Sequence, residues 1–210
     1  MLVHWYSDGV RTMDYRNLSS MQLDALRELF NIGSGNAATS LSVLLDRKID
    51  MGIPNIKIVR LEEILESDLN NEVIAVLVKV IGEAPGNILY AFDKHVAKEI
   101  TKALISDSDV FSDIGMSTIA EIGNIIASSY MNSIVSFTGL KMIASVPAVA
   151  HDMFNAILTS TFIESGQYDD YILDIETLFK GHSGQEVLGH FYYIPQPGSL
   201  ENILKQLGMV

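Results

Sequence analysis

The chain has no cysteine, which rules out a disulfide scaffold and any thiolate-ligated metal and suits a reducing compartment. Basic residues are scarce: 14 Lys and Arg stand against 26 Asp and Glu, for a net charge of −12, and the cations never form a run. A polyanionic partner, whether nucleic acid or an anionic membrane surface, is therefore not expected, whereas a partner carrying a basic patch is well matched. No stretch of about eighteen apolar residues occurs, so no membrane-spanning helix is predicted. The N-terminus lacks the basic segment and apolar core of a secretory leader, and a cytoplasmic location is expected. The parts of a self-contained hydrolase are missing too. There is no Gly-x-Ser-x-Gly elbow and no His-Glu-x-x-His, and His4, His95, His151, His182 and His190 are scattered. The protein is expected to hold no metal or cofactor of its own.

What the chain does have is one pattern written twice. Asp24, Glu28 and Asn31 are followed, after 22 intervening residues, by Pro54; Ser117, Glu121, Asn124 and Pro147 repeat all four positions at an offset of 93. That is an internal duplication. The i, i+4, i+7 spacing places each trio on one stripe of a helix. The neighbouring apolar residues (Leu23, Leu26, Phe30, Ala37, Leu41 and Leu44) are predicted on the other side, with the stripe roughly 140–200° around from Leu26. In the second copy Ile119, Ile126, Tyr130 and Phe137 are predicted inward. Polar residues on an amphipathic helix usually form nothing more than a solvated face. Asparagine, however, is a poor helix former, and it stands mid-helix beside the same glutamate in both copies. Packing explains a repeated apolar face but not a repeated exposed Glu-x-x-Asn, so the stripe is read as functional.

Taken in order, residues 1–20 read as a flexible N-terminal extension and 21–208 as a single domain with halves at 21–110 and 111–208. Ser19-x-x-Gln22 predicts a capping box opening a helix that runs to Leu45. Gly33 and Gly35 are expected to mark close packing; no strand precedes them and no Lys-Ser/Thr follows, so a nucleotide-binding loop is not expected. A strand is predicted over Ile53–Leu61, with Pro54 at its start, where a missing N–H costs no ladder bond. Val73–Ile81 and Ile88–Phe92 read as a hairpin across Glu83–Asn87, and Asp93–Ile105 as a helix. The second half repeats the order. A helix runs from Ser112 or Asp113 to Phe137 and ends at Gly139, and a strand over Leu140–Val149 is broken by Pro147. A helical run at His151–Thr161, strands at Tyr171–Phe179 and Glu186–Ile194, and a last helix at Ser199–Leu207 follow. The order suggests an α+β fold of two pseudo-equivalent halves sharing a sheet. How the strands pair stays open.

The doubled [Asp/Ser]-x-x-x-Glu-x-x-Asn with its trailing proline resembles the CheC/CheX/FliY family of chemotaxis phosphatases. The run Asn31-Ile-Gly-Ser-Gly-Asn-Ala-Ala38 and Glu121-Ile-Gly-Asn124 are similar to CheC in particular. The resemblance spans roughly residues 21–208. It implies a CheC-like fold, an internally duplicated helix-and-antiparallel-sheet unit with pseudo-two-fold symmetry. It also implies an aspartyl-phosphate phosphatase acting in trans on a CheY-type response-regulator receiver. By that resemblance Asn31 and Asn124 orient the attacking water, and Glu28 and Glu121 pair with a receiver lysine. Mg2+ is expected to be held by the receiver. Asp24, Pro54, Ser117 and Pro147 would shape the sites. Ile32 and Ile125, at the stripe's edge, are candidate partner contacts, with core packing an equal reading. The alternative is a non-catalytic adaptor that binds and regulates the receptor deamidase CheD, with Asp152, expected in the helix after the second proline, as its candidate contact; a flagellar-switch component is a third reading. A monomer is expected.

The chemistry suits the residue types. A phosphoaspartate is already an activated acyl phosphate, and what it lacks is a water held in line with phosphorus. Phosphoryl transfer depends mostly on positioning and charge stabilisation. A carboxamide both donates and accepts, and so can orient such a water.

Overall fold

The computed structural model describes residues 18–46, 48–66, 71–105, 109–165, 171–180 and 186–209. The extension expected over residues 1–20 lies, up to residue 17, outside them. The elements run α1 (Ser20–Leu44), β1 (Asp50–Met51), β2 (Asn55–Arg60), α2 (Leu61–Leu65), β3 (Glu72–Gly82), β4 (Gly86–Asp93) and α3 (Lys94–Leu104). They continue with α4 (Asp113–Thr138), β5 (Met142–Ala144), β6 (Ala148–Met153), α5 (Phe154–Ser165), β7 (Tyr171–Lys180), β8 (Glu186–Pro195) and α6 (Ser199–Gln206). No helix among the described residues is long and apolar enough to cross a membrane.

The two long helices start and stop where local chemistry dictates. Ser19 Oγ accepts the Gln22 N–H at 3.3 Å and Gln22 Oε1 accepts the Ser19 N–H at 2.8 Å, which completes the capping box of α1. Ser112 Oγ accepts the Gly115 N–H at 3.1 Å to cap α4, and Gly139 closes that helix with φ +70°, a conformation that favours glycine.

All pairings in the sheet are antiparallel, and its order is β1-β7-β8-β4-β3-β5, with β2 also on β7 and β6 also on β3. The two hairpins β3–β4 and β7–β8 meet along β4 and β8, where Tyr90 stands opposite Phe191 and Leu89 opposite Tyr192. Each hairpin is then edged by the other half's strands: β2 pairs with β7 and β6 with β3. The repeats are interleaved by this exchange, so the backbone groups of β2 find partners only when both halves are present.

Alternation along the strands divides the apolar residues between two faces. Ile74, Val76, Val78, Ile88, Tyr90, Ile175, Phe191 and Tyr193 face α1 and α4, which bury Leu26, Phe30, Ile119, Ile126 and Tyr130 against them, with α3 and α6 alongside. Val73, Ala75, Leu89, Ile172, Tyr192 and Ile194 face α5 and the short α2 through Phe154, Leu158, Phe162 and Ile64. Four expectations need correction. Leu44 and Phe137, predicted inward by the helical wheel, are 40% and 53% exposed, because they lie at helix C-termini beyond the packed core. Residues 151–153 belong to strand β6 rather than to a helix: β3 offers an edge, and their pairing with it overrides the local pattern. Leu61 opens α2 instead of ending a strand. Gly35 does not mark close packing.

The two glycines of α1 separate cleanly. A Cβ on Gly33 would lie 2.6 Å from Tyr130 Cδ1 and 3.0 Å from Tyr130 Cα, so this residue lets α1 and α4 touch, whereas a Cβ on Gly35 meets nothing within 4 Å. Opposite effects are therefore expected. Gly33→Leu should cost about 2–3 kcal/mol by overpacking, and Gly35→Ala should gain up to about 1 kcal/mol from helix propensity. The shift of the urea midpoint in each variant checks both signs.

Candidate functional site

Both stripes lie on the outer surface of the long helices. Asp24, Glu28, Ser117 and Glu121 are exposed, and Asn31 and Asn124 are half-buried. Asp24 is engaged locally by Arg27. Among the described residues nothing donates to or accepts from the side chains of Glu28, Asn31, Glu121 or Asn124, and neither glutamate has an ion pair. Four polar groups at the same repeated positions thus have free hydrogen-bonding capacity, facing outward.

In the second copy the structure brings all four motif positions to one open groove. Ser117, Glu121 and Asn124 form its helical wall, and Ser145, Val146 and Pro147, between β5 and β6, form the other. That connector is anchored to β3: the Ser145 N–H donates to the Lys79 carbonyl at 2.8 Å, and Ser145 Oγ accepts the Lys79 N–H at 3.0 Å. Proline restricts the residue before it to extended backbone, which accounts for its recurrence here. Pro147 holds Val146 out beside Asn124. In the first copy Pro54 is buried between β1 and β2, Ile53 projects before it, and Ser34 Oγ of α1 donates to the Gly52 carbonyl at 3.5 Å. Sequence reasoning missed Ser145 and Val146. The signal for Val146 was available, since Ile53 precedes the other repeated proline.

A further short side chain sets the depth of the second stripe. A Cβ on Gly123 would lie 2.6 Å from Val76 Cβ and Cγ1, so α4 sits directly on β3 between Glu121 and Asn124. The first copy has Phe30 at that position, 2% exposed, as a core filler. The two sites share their polar residues but not their underlying packing.

The contact of Gly33 with Tyr130 and the grouping of Leu44 with Ser117 show that α1 and α4 run antiparallel. At 1.5 Å per residue, Glu28 and Glu121 are then separated by roughly 21 Å along the helix pair. The stripes therefore occupy opposite ends. Ile32 and Ile125 are both half-buried, and Ile125 packs against the core. Asp152 lies on β6 opposite Val73, exposed, with its carboxylate accepting the Met153 N–H at 2.7 Å. The helix expected to carry it starts two residues later.

Among the described residues one group has metal-ligand composition: Asp174, Glu176 and His190, whose ligand atoms lie within 4.8 Å of one another. By strand alternation it sits on the sheet face turned away from α1 and α4. Its groups already have partners: Lys57 Nζ donates to Glu176 at 2.6 Å, Asn55 Nδ2 donates to it at 2.9 Å, and His190 Nδ1 is 3.3 Å from Asp174. Burial pushes the Glu176 carboxyl up, but the hydrogen bonds from Lys57 and Asn55 outweigh it and hold the group below its usual 4.5. The hydrogen bond to Glu176 raises Lys57 above 10.5. A lowered carboxyl contributes stability that is present above 4.5 and lost as pH falls through the folded value. Glu176→Gln is therefore expected to lower the thermal midpoint modestly at neutral pH. The gap to the parent should close as pH falls from 4.5 through the folded value, as thermal melts across pH would report.

A protein-family model described as the CheC-like family matches residues 21–58 and 114–151, two segments displaced by the repeat offset of 93. Both copies of the repeat are thus similar to the CheC-like family. It is 29% identical over 203 residues to the CheY-P phosphatase CheC of Bacillus subtilis (strain 168), covering 92% of this chain and 97% of that one. The fold matches Thermotoga maritima FliY with a TM-score of 0.75 at 19% identity, over 91% of this chain and 98% of that one. It also matches the chemotaxis protein CheX from Desulfovibrio desulfuricans with a TM-score of 0.53 at 17% identity, over 80% and 99% of the two chains. At such identities these structures establish the α+β architecture with its antiparallel sheet.

Proposed function

We propose that this protein is a phosphatase acting in trans on the phosphoaspartate of a CheY-type receiver domain, with one site on α1 and one on α4. The observation that carries the reading is the pair of outward stripes, in which Glu28, Asn31, Glu121 and Asn124 engage nothing among the described residues. Similarity along nearly the whole length of a CheY-P phosphatase supports the substrate class. On docking, Asn31 or Asn124 reaches the phosphorylated aspartate. Its carboxamide holds a water in line, accepting a hydrogen bond from the water and donating to it or to a phosphoryl oxygen. The divalent cation that neutralises the phosphoryl oxygens arrives with the receiver as part of the substrate. Glu28 or Glu121, one turn back, takes a receiver lysine in a charge-assisted hydrogen bond and fixes the helix in register.

Water attacks phosphorus, the P–O bond to the aspartyl carboxylate breaks, and the products are free phosphate and a restored carboxylate. Nothing covalent forms on this chain, which matches a site containing no activated nucleophile. The test is the rate of phosphate loss from a phosphorylated receiver with and without the protein. Acceleration is expected, and an unchanged rate at saturating protein would remove the reading.

A further inference from the structure

Six exposed large apolar residues fall into three pairs related by the repeat. Met21 and Ile114 are 67% and 62% exposed, Leu44 and Phe137 40% and 53%, and Ile53 and Val146 76% and 88%. The members of each pair are 93 positions apart. Single apolar residues on a surface are ordinary. Three of them kept exposed at equivalent places in both halves are not scatter, and the core gains little from any of them.

Their placement is specific. Leu44 and Ile114 line one groove together with Ser117 and Glu121. Val146 lines the adjoining groove with Ser117, Glu121 and Asn124. The second polar stripe is thus bordered on both sides by apolar side chains, and one of them, Leu44, comes from the opposite helix. By the repeat offset and the antiparallel arrangement of α1 and α4, Met21, Ile53 and Phe137 are the counterparts of these residues for the first stripe.

We propose that each site is composite: a Glu/Asn stripe from one helix set inside a three-residue apolar rim that includes a residue from the end of the other. Ile114, Val146 and Leu44 serve the second site, and Met21, Ile53 and Phe137 the first. The occupant is the receiver domain, so the inference rests on the phosphatase reading. An apolar rim around a polar centre keeps bulk water off the central hydrogen bonds. Ile53 and Val146 are restricted by the prolines after them, so less freedom is lost when they are covered. The rims also differ, Leu44 in one against Phe137 in the other, so the two sites take the receiver with unequal affinity.

The test uses the full chain carrying Asn31→Ala, in which the second stripe works alone. Adding Leu44→Lys or Val146→Lys is expected to raise the KM for the phosphorylated receiver about ten-fold with kcat unchanged. Ile163→Lys, on α5 and 73% exposed in the parent, serves as a control expected to change neither. Two lysine variants are used so that misfolding of one, seen as a lost thermal transition, leaves the other decisive. An unchanged KM in the folded variants overturns the composite rim, and so does a fall in kcat alone. Loss of self-association in sedimentation with receiver KM unchanged would assign these residues to a second copy of the chain and overturn it equally. If the parent protein does not accelerate phosphate loss at all, the phosphatase reading itself fails, a result distinct from these.

Discussion

Phosphate loss from a phosphorylated receiver should return to its unassisted rate when Asn31 and Asn124 are both replaced by alanine. The two stripes lie at opposite ends of the helix pair, so on the proposed mechanism they act in parallel and their rates add. A single Asn→Ala change can therefore remove no more than its own site's share, and the two shares should be unequal because the rims and the packing beneath them differ. The double change removes both carboxamides. A single positioned donor of this kind contributes on the order of 10²–10³ in rate, and a loss of that size is expected. Folding should be unaffected, because neither asparagine side chain has a hydrogen-bond partner among the described residues. Single-turnover decay of the receiver phosphate, followed for the parent, each single variant and the double variant, provides the check. Residual acceleration in the double variant would mean that the asparagines are not the water-orienting groups. Replacing Glu28 and Glu121 instead should raise KM and leave kcat nearly intact if, as proposed, they hold the receiver.

Tyr130→Ala should be the most damaging single change to stability, at about 3–5 kcal/mol. Tyr130 is 1% exposed and lies where three parts of the fold meet. Its ring centroid is 5.7 Å from Phe30 of α1 and 4.3 Å from Phe191 of β8, and its Cδ1 fills the space that Gly33 leaves open. Removing the ring leaves a cavity bounded by α1, α4 and the sheet. Gly33 carries no side chain that could move in, and the neighbouring aromatics are held by one another: Phe30 is 6.4 Å from Phe191, which is 6.5 Å from Tyr90. The loss is comparable to much of the roughly 5–15 kcal/mol by which a domain is stable. Urea unfolding of the purified variant would measure it, and a cost under about 1 kcal/mol would show that the α1–α4 contact can collapse. Because the two sites sit at the ends of this helix pair, receiver phosphatase activity should fall with the folded fraction rather than through kcat.

The proposed site residues were legible because their signals are local. The i, i+4, i+7 spacing of Glu28 and Asn31 on one helix specifies a stripe without reference to the rest of the chain, and the 93-residue offset repeats it. Ser19 with Gln22, Ser112 and Gly139 set helix ends through bonds reaching only three or four residues. Those features, the hairpin turns and the family resemblance were determined by the sequence itself. What required the tertiary structure depends on residues far apart in the chain. The exchange of β2 onto β7 and β6 onto β3 is a choice between edges of similar pattern, and the same choice turns residues 151–153 from a predicted helix into strand. A helical wheel assigns Leu44 and Phe137 to the inner face but cannot tell at what level the opposing surface ends, so only packing revealed them as exposed neighbours of the polar stripes. The same limit separates Gly33 from Gly35, two identical residues of one helix, of which only the first lies against Tyr130. Periodicity states which way a side chain points; what it meets there is decided by segments that periodicity does not relate to it.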